Sequence, residues 1–384
     1  MSKNIVSGFL FLSLGLLAVS GAFVVCCAEE NSLPEYTNRM EVMRDEALRR
    51  DFLLQGEYLG ERNANKIGLQ LIADGDGKFR FVSYRGGLPG DGWTTGGIRY
   101  LGKAVITEEG KIKFETEKFY DKDNKEKPAS ELPERFRSYT ANYKIDMPQR
   151  QAGGSGQRAS GQPGFQGPNV TITRESENAT PMKKVMRRSP TLGEKAPEGA
   201  LVIFDGSNVD QFAPGAKINE SRRPGGNTLW CNATIKPFEQ KPYHLHLEFL
   251  LSYMPTAHGQ ARSNSGIYID EAYECQVLDS FGLELANNEC GGFYQVKEPS
   301  VNMCFPPLTW QTYDFYFQPP KYDGDKKTEN ARLTLKQNGV TIHDNIELPK
   351  ETPGCKKEAN EPRGVYLQGH GNKVQYRNIW LKYE

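Results

Sequence analysis

The feature that most limits the fold is a series of short alternating segments between residues 200 and 384. Apolar and polar side chains alternate within each segment, and turn-forming residues separate them; examples are HLHLEFLL, SGIYI, YECQVL, TYDFYF, ARLTLKQNG and VQYRNIWLKY. No helical periodicity intervenes, which excludes a parallel sheet with βαβ crossovers. We therefore predict an all-β fold for this region, with many antiparallel strands in a two-sheet sandwich or jelly roll.

A separate, small β domain is predicted at residues 35–147. It begins with a short helix over residues 35–52 and continues with alternating runs around Asp-Gly and Glu-Gly turns. The DGDG segment at Asp74–Gly77 resembles the start of a calcium loop, but Lys78 stands where another oxygen ligand is needed, which favours a hairpin turn. The segment GGLPGDGW lacks the Gly-Lys-Ser/Thr of a phosphate loop, and we interpret it as a surface loop with Trp93 as a candidate ligand contact.

Residues 148–199 are predicted to link the two domains. The stretch from Gln149 to Asn169 is rich in glycine, serine, glutamine and proline. Such a composition cannot bury enough apolar surface to offset the entropy lost on ordering. The VTIT segment that follows is a candidate final strand of the N-terminal domain.

The N-terminal residues predict export. An apolar run follows Lys3, and small residues precede Glu29, which is the arrangement of a signal peptide cleaved after Ala28. We therefore predict that residues 1–28 are removed and that the mature protein is periplasmic or extracellular, without stable insertion in the membrane. A retained membrane anchor, or a lipid on a cysteine of the signal, is the alternative.

Charge and cysteine content limit the partners. The chain has 48 basic and 48 acidic residues, so a basic surface for nucleic acid is not indicated. Two of the seven cysteines lie in the signal, which leaves five, an odd number that implies at least one free thiol or an intermolecular bridge. Cys290 and Cys304 flank one loop-rich stretch and are candidates to pair. The spacings match no zinc pattern.

The segment SNSGIYIDEAYECQVLDSFG, residues 263–282, has the pattern of a β-hairpin with Asp270–Ala272 at its turn. Side chains alternate between the two faces of a strand. One face then carries isoleucines, a tyrosine, a cysteine and a valine, and belongs in the core.

The other face of this hairpin is polar. In the same register Tyr268 lies opposite Glu274, Gly266 lies opposite Gln276, and Asn264 shares their face. A glycine opposite a long amide leaves room above the sheet for a sugar ring. The alternative is an ordinary solvated face of an antiparallel sheet, and alternation alone does not decide between the two.

Other candidate residues lie outside the hairpin. His244 and His246 share one strand face and could chelate a metal, although a polar outer face is the simpler interpretation. His370 lies in a turn between two glycines, where it is accessible as an acid or base, and Gln368 just before it points away from the core. Trp310 begins its strand, where it could stack on a sugar or pack in the core.

Several of these motifs together resemble the bacterial 3-keto-disaccharide hydrolase domain family. The resemblance covers about residues 200–384 and rests, in this order, on LVIFDGSNVDQF, HLEF, SNSGIYI, YECQVLDSFG, CGGFYQ, TWQTYDFYFQPPKYD, NARLTLKQNGVTIHDN and LQGHGNKVQYRNIW. It implies a concanavalin-like jelly-roll sandwich and the cleavage of glycosides whose sugar ring is oxidised at C3. The domain at residues 35–147 is not covered by it.

The implied chemistry needs a base, an acid and groups that hold the sugar. A ketone at C3 acidifies the hydrogen on C2, so a base can remove it while the C1 substituent leaves, and water then adds. As hypotheses, Glu274 and His370 are the acid and base candidates, with Asp279 as the third.

The remaining assignments concern the sugar. Asn264, Gln276 and Gln368 would hold hydroxyls or the enolate. Arg262 would supply positive charge, while Tyr268 and Trp310 would stack on the ring. No cofactor is predicted, but a divalent metal and the oligomeric state are left open. A non-catalytic, lectin-like carbohydrate-binding module is the alternative function.

Overall fold

The structure is a computed structural model that describes residues 33–147, 168–177, 179–221 and 226–384. The predicted signal peptide and most of the glycine-rich segment lie outside the described residues. The described residues form one unit that is nearly all β. This agrees with the predicted fold class at the level of an all-β protein.

The helical elements of the described residues are short. They are α1 Arg39–Val42, α2 Glu46–Leu54, α3 Glu134–Arg137 and two 3₁₀ turns at Ala129–Glu131 and Gly259–Ala261. The one helix predicted at residues 35–52 is two helices, because Asp45 caps α2 by accepting a hydrogen bond from the Leu48 N–H at 2.9 Å. Within the described ranges, no helix has both the length and the apolar character needed to cross a bilayer.

The N-terminal strands build a closed barrel. They are β1 Gly56–Arg62, β2 Asn65–Gly75, β3 Lys78–Arg85, β4 Leu88–Pro89, β5 Gly92–Trp93, β6 Arg99–Ile106, β7 Ile112–Tyr120, β8 Glu126–Pro128, β9 Ser138–Asp146, β10 Asn169–Arg174 and β11 Met182–Val185. Eight of them pair in the order β6-β3-β2-β1-β11-β10-β9-β7, and β7 pairs back to β6. The VTIT segment lies in β10. Both β10 and β11 fall in the predicted linker, so part of that linker belongs to the barrel.

Aromatic and aliphatic side chains fill the barrel. Phe81 on β3 meets Phe114 on β7 edge to face, with ring centroids 5.2 Å apart, and Phe114 stacks on Tyr139 of β9 at 4.8 Å. All three strands contribute to one buried cluster. The segment Asp74–Gly77 forms the tight turn between β2 and β3, with positive φ at Gly75, Asp76 and Gly77, which confirms the hairpin interpretation.

The C-terminal strands form two larger antiparallel sheets and one two-stranded ribbon. They are β12 Leu201–Phe204, β13 Ile218–Asn219, β14 Thr228–Trp230, β15 Ala233–Thr234, β16 Tyr243–Leu250, β17 Ser265–Ile269, β18 Tyr273–Val277, β19 Trp310–Gln318, β20 Lys321–Asp323, β21 Lys326–Glu329, β22 Ala331–Gln337, β23 Val340–Leu348, β24 Tyr366–Leu367 and β25 Gln375–Tyr383. The larger sheet has the order β13-β14-β25-β16-β19-β22-β23, with β12 also paired to β25. The smaller sheet has the order β15-β24-β17-β18, and β20 and β21 pair with each other.

Both sheets share one apolar core. Leu247 and Phe315 come from the larger sheet, and Ile267, Cys275 and Val277 come from the smaller one; all are fully buried in the same cluster. The remaining face of each sheet therefore points away from the other sheet. This fixes which side of the smaller sheet the polar residues of the hairpin occupy.

The five cysteines of the described residues are free thiols. Cys290 and Cys304 are hydrogen-bonded neighbours and do not form the bridge for which they were candidates. The Cys290 sulfur also accepts from the Gln337 amide at 3.4 Å and lies 3.2 Å from the Tyr313 hydroxyl. The pair is thus part of a hydrogen-bonded group inside the core.

Candidate active site

Strands β17 and β18 form the hairpin that the sequence predicts. Their register pairs Gly266 with Gln276 and Tyr268 with Glu274, which confirms the expected partners. The turn at Asp270–Glu271 adopts positive φ values of 54° and 50°, as tight turns between antiparallel strands require. The pairing and the burial of the apolar face together set the direction of every polar side chain on this hairpin.

The polar face of the hairpin is not solvated. Asn264, Glu274 and Gln276 are only 1%, 5% and 2% exposed. Loops from distant parts of the chain pack beside β18: the Glu274 N–H donates to the Thr352 hydroxyl at 2.8 Å, and the Gln276 N–H donates to the Gly292 carbonyl, also at 2.8 Å. Burial of an acid and two amides on one face argues against the solvated-surface interpretation.

Side chains pack closely over Gly266 at the centre of this face. A Cβ atom placed on it would lie 2.7 Å from Glu274 Oε1 and 3.1 Å from Gln368 Oε1, with the Tyr268 ring 3.0 Å away. Three functional side chains therefore converge above one glycine. We call Asn264, Gly266, Tyr268, Glu274, Gln276 and Gln368 the hairpin site.

Glu274 has the electrostatic properties of an acid–base group. Burial raises the pKa of its carboxyl to about 7, and a hydrogen bond with the Tyr268 hydroxyl opposes this shift in part. The Gln368 amide donates to the same hydroxyl at 2.7 Å. The tyrosine can therefore receive one hydrogen bond while donating its own hydrogen to Glu274. A carboxyl that titrates near neutrality can take or give a proton at physiological pH.

The amides of the hairpin site have unpaired oxygen atoms. The Gln260 side-chain oxygen accepts from the amide of Asn264 at 3.0 Å and from that of Gln276 at 3.1 Å. Asn264 Oδ1, Gln276 Oε1 and Gln368 Oε1 are buried and have no hydrogen-bond partner within the described part of the chain. Buried acceptors are normally paired, so three unpaired amide oxygens on one face set this face apart from an ordinary core.

His370 is exposed in the turn between β24 and β25. The turn is fastened beside β17, because the Gln368 N–H donates to the Gly266 carbonyl and the Asn372 side chain accepts from the Asn264 N–H, both at 2.8 Å. His370 is two residues from each anchor, which keeps it at the rim of the hairpin site. In the ranges the structure describes, it makes no hydrogen bond or ion pair.

Arg262 and Asp279 are brought to each other and not to the hairpin site. Arg262 Nε lies 2.7 Å from Asp279 Oδ2, and both side chains are at most 3% exposed. The guanidinium also donates to the carbonyls of Ala73, Pro255 and Ala257 at 3.3–3.4 Å. Because Ala73 lies on β2, this ion pair connects the barrel to the two ends of the hairpin. The two charges neutralise each other, so neither is free for substrate.

Trp310 also lies away from the hairpin site. Its strand directs Tyr313, Phe315 and Phe317 into the core, so the alternate residues point to the outer face of the larger sheet. The guanidinium of Arg377 is stacked 4.0 Å above the Trp310 ring. The hairpin site is on the outer face of the other sheet, so the two faces are on opposite sides of the core.

The two candidate metal-binding histidines share one hydrogen-bond acceptor. Asp314 Oδ1 lies 2.7 Å from His246 Nδ1 and 3.1 Å from His244 Nε2. Burial opposes a charge on His246, but hydrogen bonds to Asp314 and Glu248 outweigh it and raise the pKa of His246 to about 9. A protonated imidazole cannot bind a metal. Across the described ranges, no group of three or more His, Cys, Asp or Glu side chains could hold a metal ion.

The outer face of the larger sheet is buried around His246 because the segment that follows the barrel, with Thr191 and Gly193, covers it. The Thr191 hydroxyl donates to Asp314 at 2.9 Å, and the Gly193 N–H donates to Glu248. The sequence pattern correctly separated this face from the core. It gave no indication that residues of the predicted linker lie across it.

Sequence reasoning missed several residues that complete the hairpin site. Gln260 orients two amides, Asn372 fastens the His370 turn, and Thr352 accepts from the Glu274 backbone. Cys355 lies beside Thr352, with Sγ and Oγ1 3.0 Å apart, and burial raises the pKa of its thiol to about 11. All four lie outside the strands, in turns and loops, so the alternation of a strand could not have identified them.

Comparison with known proteins gives one family match. Residues 193–382 match the family model described as a 3-keto-alpha-glucoside-1,2-lyase-like domain. This agrees with the resemblance found in the sequence motifs and supports a carbohydrate-active function for the domain. No curated protein matches the chain.

Two solved structures from Parabacteroides distasonis ATCC 8503, each described as a candidate glycosyl hydrolase, are similar to parts of the chain. The first is 23% identical, covers 50% of this chain and 86% of its own, and has a TM-score of 0.44. The second is 14% identical, covers 50% of this chain and 90% of its own, and has a TM-score of 0.29. At these scores the likenesses carry no argument about fold or function.

Proposed function

We propose that this protein cleaves glycosides whose sugar ring carries a ketone at C3. The premise is that residues 193–382 form a 3-keto-alpha-glucoside-1,2-lyase-like domain. The domain would have the concanavalin-like jelly-roll form of a two-sheet sandwich. The family description names both the oxidised sugar and a bond-breaking step across C1 and C2. These are the chemical features that the hairpin site would need to serve.

The observation that carries the proposal is the position of Glu274. Burial raises the pKa of its carboxyl to about 7, and the carboxyl lies over Gly266, close to the Tyr268 ring and to a buried amide oxygen of Gln368 that lacks a partner. A base of this pKa suits removal of a carbon-bound hydrogen that a neighbouring ketone has acidified. The unpaired amide oxygens suit the hydroxyls of a sugar.

The proposed reaction begins when the Glu274 carboxylate takes the proton from C2. The electron pair of the C2–H bond moves into an enolate on the C3 oxygen. It then returns to form a C1–C2 double bond as the C1–O bond breaks, and the departing oxygen takes a proton from an acid. Water adds across the double bond, with hydroxyl on C1 and hydrogen on C2, and gives the free 3-keto sugar.

The other residues of the site would position the sugar. Asn264, Gln276 and Gln368 would accept hydrogen bonds from ring hydroxyls, and the Tyr268 ring would lie beside the sugar. His370, exposed at the rim, would protonate the leaving oxygen where the aglycone projects towards solvent. Arg262 and Asp279 have no direct part in this scheme, because they are paired with each other.

The test is incubation of the purified mature protein with 3-keto-trehalose or a 3-keto-glucoside, followed by measurement of released sugar. Release is expected with the oxidised substrate and not with the parent glycoside, since only the ketone acidifies C2. A parallel reaction with chelator tests the divalent metal that the sequence left open. Binding of the sugar without any release would support the lectin-like alternative instead.

The pH dependence of kcat/KM should follow the ionisation of Glu274. Because burial raises the pKa of Glu274 to about 7 and the ionised form is the active one, kcat/KM is expected to rise about tenfold per pH unit below pH 7 and to level off above it. The measurement is a pH–rate profile from pH 5 to pH 8. A profile that is flat across this range would contradict the assignment of Glu274 as the base.

A second prediction concerns Gly266. Gly266→Ala would place a methyl group against Glu274 Oε1 and the Gln368 amide. The ends of these side chains can move aside, so the fold should be kept, but the reacting groups shift. A displacement of this size is expected to lower kcat/KM by about a hundredfold. Thermal unfolding of the variant serves as the control, and unchanged activity would show that the reaction does not depend on the close packing over Gly266.

A further inference from the structure

The polar outer face of the smaller sheet continues beyond the hairpin site. The register pairs Glu274 with Tyr268 and Tyr268 with Tyr366. Tyr366 in turn pairs with Thr234, so the four side chains form one row across β18, β17, β24 and β15. Opposed residues of antiparallel strands share a face, and the next row along these strands is buried in the core. With strands about 4.8 Å apart, the row is about 14 Å long, which is more than one sugar ring covers.

The row opens towards solvent as it leaves Glu274. The Glu274 side chain is 5% exposed, whereas Tyr268, Tyr366 and Thr234 are half-buried. Asn232, two residues before Thr234, is exposed. The proposed base therefore lies at the closed end of the row, and the part of the row on β24 and β15 is open to a molecule from outside.

Three contacts hold the Tyr366 ring in place. Its hydroxyl donates to the Asn232 side-chain oxygen at 3.1 Å and accepts from the Gly369 N–H at 3.2 Å. The ring meets the Tyr268 ring edge to face, with centroids 5.3 Å apart. A ring that is fixed before a ligand arrives loses little entropy on binding. Because Gly369 precedes His370, the fixed ring also lies beside the turn that carries the proposed acid.

Polar groups flank this ring. The Asn232 amide nitrogen and the Thr234 hydroxyl have no hydrogen-bond partner among the described residues, and both side chains reach the surface. The residues between Glu274 and Thr234 in the row are uncharged tyrosines. Lys236, two residues beyond Thr234, is exposed, and its ammonium donates to the Asp210 carbonyl at 2.7 Å, so it does not require an anionic ligand. An aromatic ring between an amide and a hydroxyl suits a neutral ring that carries hydroxyls.

We propose that Tyr366, Asn232 and Thr234 bind the leaving group of the reaction and that this leaving group is a second sugar. The inference rests on the proposed function, because it takes the 3-keto ring to lie at Glu274. The bond to C1 then points along the row, past the turn with His370. The leaving sugar lies with its apolar face on the Tyr366 ring and its hydroxyls at Thr234 and Asn232. These three residues set a preference for 3-keto-disaccharides over glycosides with a small aglycone.

The test compares two substrates that share the 3-keto ring, 3-keto-trehalose and methyl 3-keto-α-glucoside. The ratio of their kcat/KM values is measured for the mature protein and for each variant, which cancels the intrinsic reactivity of the two leaving groups. Tyr366→Leu keeps an apolar side chain without the ring and is expected to lower the ratio about tenfold. Thr234→Val removes the hydroxyl at constant shape and is expected to lower it about fivefold, the effect of one hydrogen bond.

Two variants serve as matched controls. Tyr366→Phe keeps the ring and removes only the hydroxyl that fastens the His370 turn, so any loss of rate should fall equally on both substrates. Lys236→Gln removes the exposed charge at the end of the surface and should leave the ratio within about twofold. A role for Tyr366 in structure alone would change both rates together and would not change their ratio.

The outcomes separate this inference from the proposed function. A lowered ratio in Tyr366→Leu and Thr234→Val, with the parent ratio in both controls, supports a second sugar at this row. The parent ratio in folded Tyr366→Leu would overturn the inference and leave the proposed function in place, because the 3-keto ring is still cleaved. If thermal unfolding shows that Tyr366→Leu does not fold, the parent ratio in Thr234→Val has the same meaning. Release from neither substrate by the parent protein would overturn both proposals.

Discussion

Replacing Glu274 with glutamine is expected to lower the turnover of a 3-keto-glucoside by about 10²–10⁴-fold, the usual contribution of a general base. The amide keeps the size and one oxygen of the carboxyl, so the packing against Thr352 and Tyr268 should be kept. It cannot accept a proton, and the rise in rate towards pH 7 should disappear together with the activity. The measurement is kcat for Glu274→Gln and the parent protein at several pH values.

The control for this experiment lies on the same hairpin. Glu271 occupies the turn and pairs with Lys356 at 2.5 Å, a contact in which the lysine is largely exposed. Glu271→Gln makes the same chemical change a few residues away and should leave turnover within about twofold, because Glu271 lies at the turn and its partner lysine is largely solvated. Equal, undiminished activity in both variants would remove Glu274 from the mechanism.

The largest expected effect on stability comes from Arg262. Arg262→Met would leave the Asp279 carboxylate buried without its partner and would remove the donors to three backbone carbonyls. Loss of one member of a buried ion pair typically costs about 3–5 kcal/mol of the free energy of unfolding. Urea denaturation measures this cost, and the variant should also lose activity because the ends of the hairpin are no longer held together.

Two further variants test the cause of that loss. In a protein that already carries Asp279→Asn, the Arg262→Met change should cost much less, because no unpaired carboxylate remains. Lys321→Met breaks an exposed pair with Glu329, whose side chains are 68% and 60% accessible, and should change stability by less than about 1 kcal/mol. If Arg262→Met lowered the free energy of unfolding as little as Lys321→Met does, the contact between the barrel and the hairpin would not depend on this ion pair.

The hairpin shows how far a sequence pattern can lead. A period of two residues specifies which side chains share a face, and a register follows once the turn is placed, so the partners of Gly266 and Glu274 could be predicted. The burial of these residues could not be predicted, because the groups that cover them, such as Thr352 and Asn288, come from loops far away in the sequence. Alternation reports the face of a strand and contains no information about what lies over that face.

Trp310 and Arg262 were expected at the hairpin site but lie elsewhere, and the reason is related. Trp310 is correctly separated from the core side of its strand, but its strand belongs to the larger sheet and Glu274 to the smaller one. Which sheet a strand joins depends on pairing between segments distant in sequence. Arg262 was expected to face substrate, and its contact with Ala73 depends on the docking of a barrel that the family resemblance does not include.

The position of β25 has a consequence for how the protein folds. This strand pairs with β16 on one edge and with β12 and β14 on the other, so it lies in the middle of the larger sheet although it follows all of that sheet's other strands in the chain. The complete sheet cannot assemble until the residues up to Tyr383 have been synthesised, although β16, β19, β22 and β23 can pair before then. Folding of this domain must therefore follow synthesis of its whole length, with a slow, non-local search for partners. Loss of β25 would divide the sheet and would not merely shorten it.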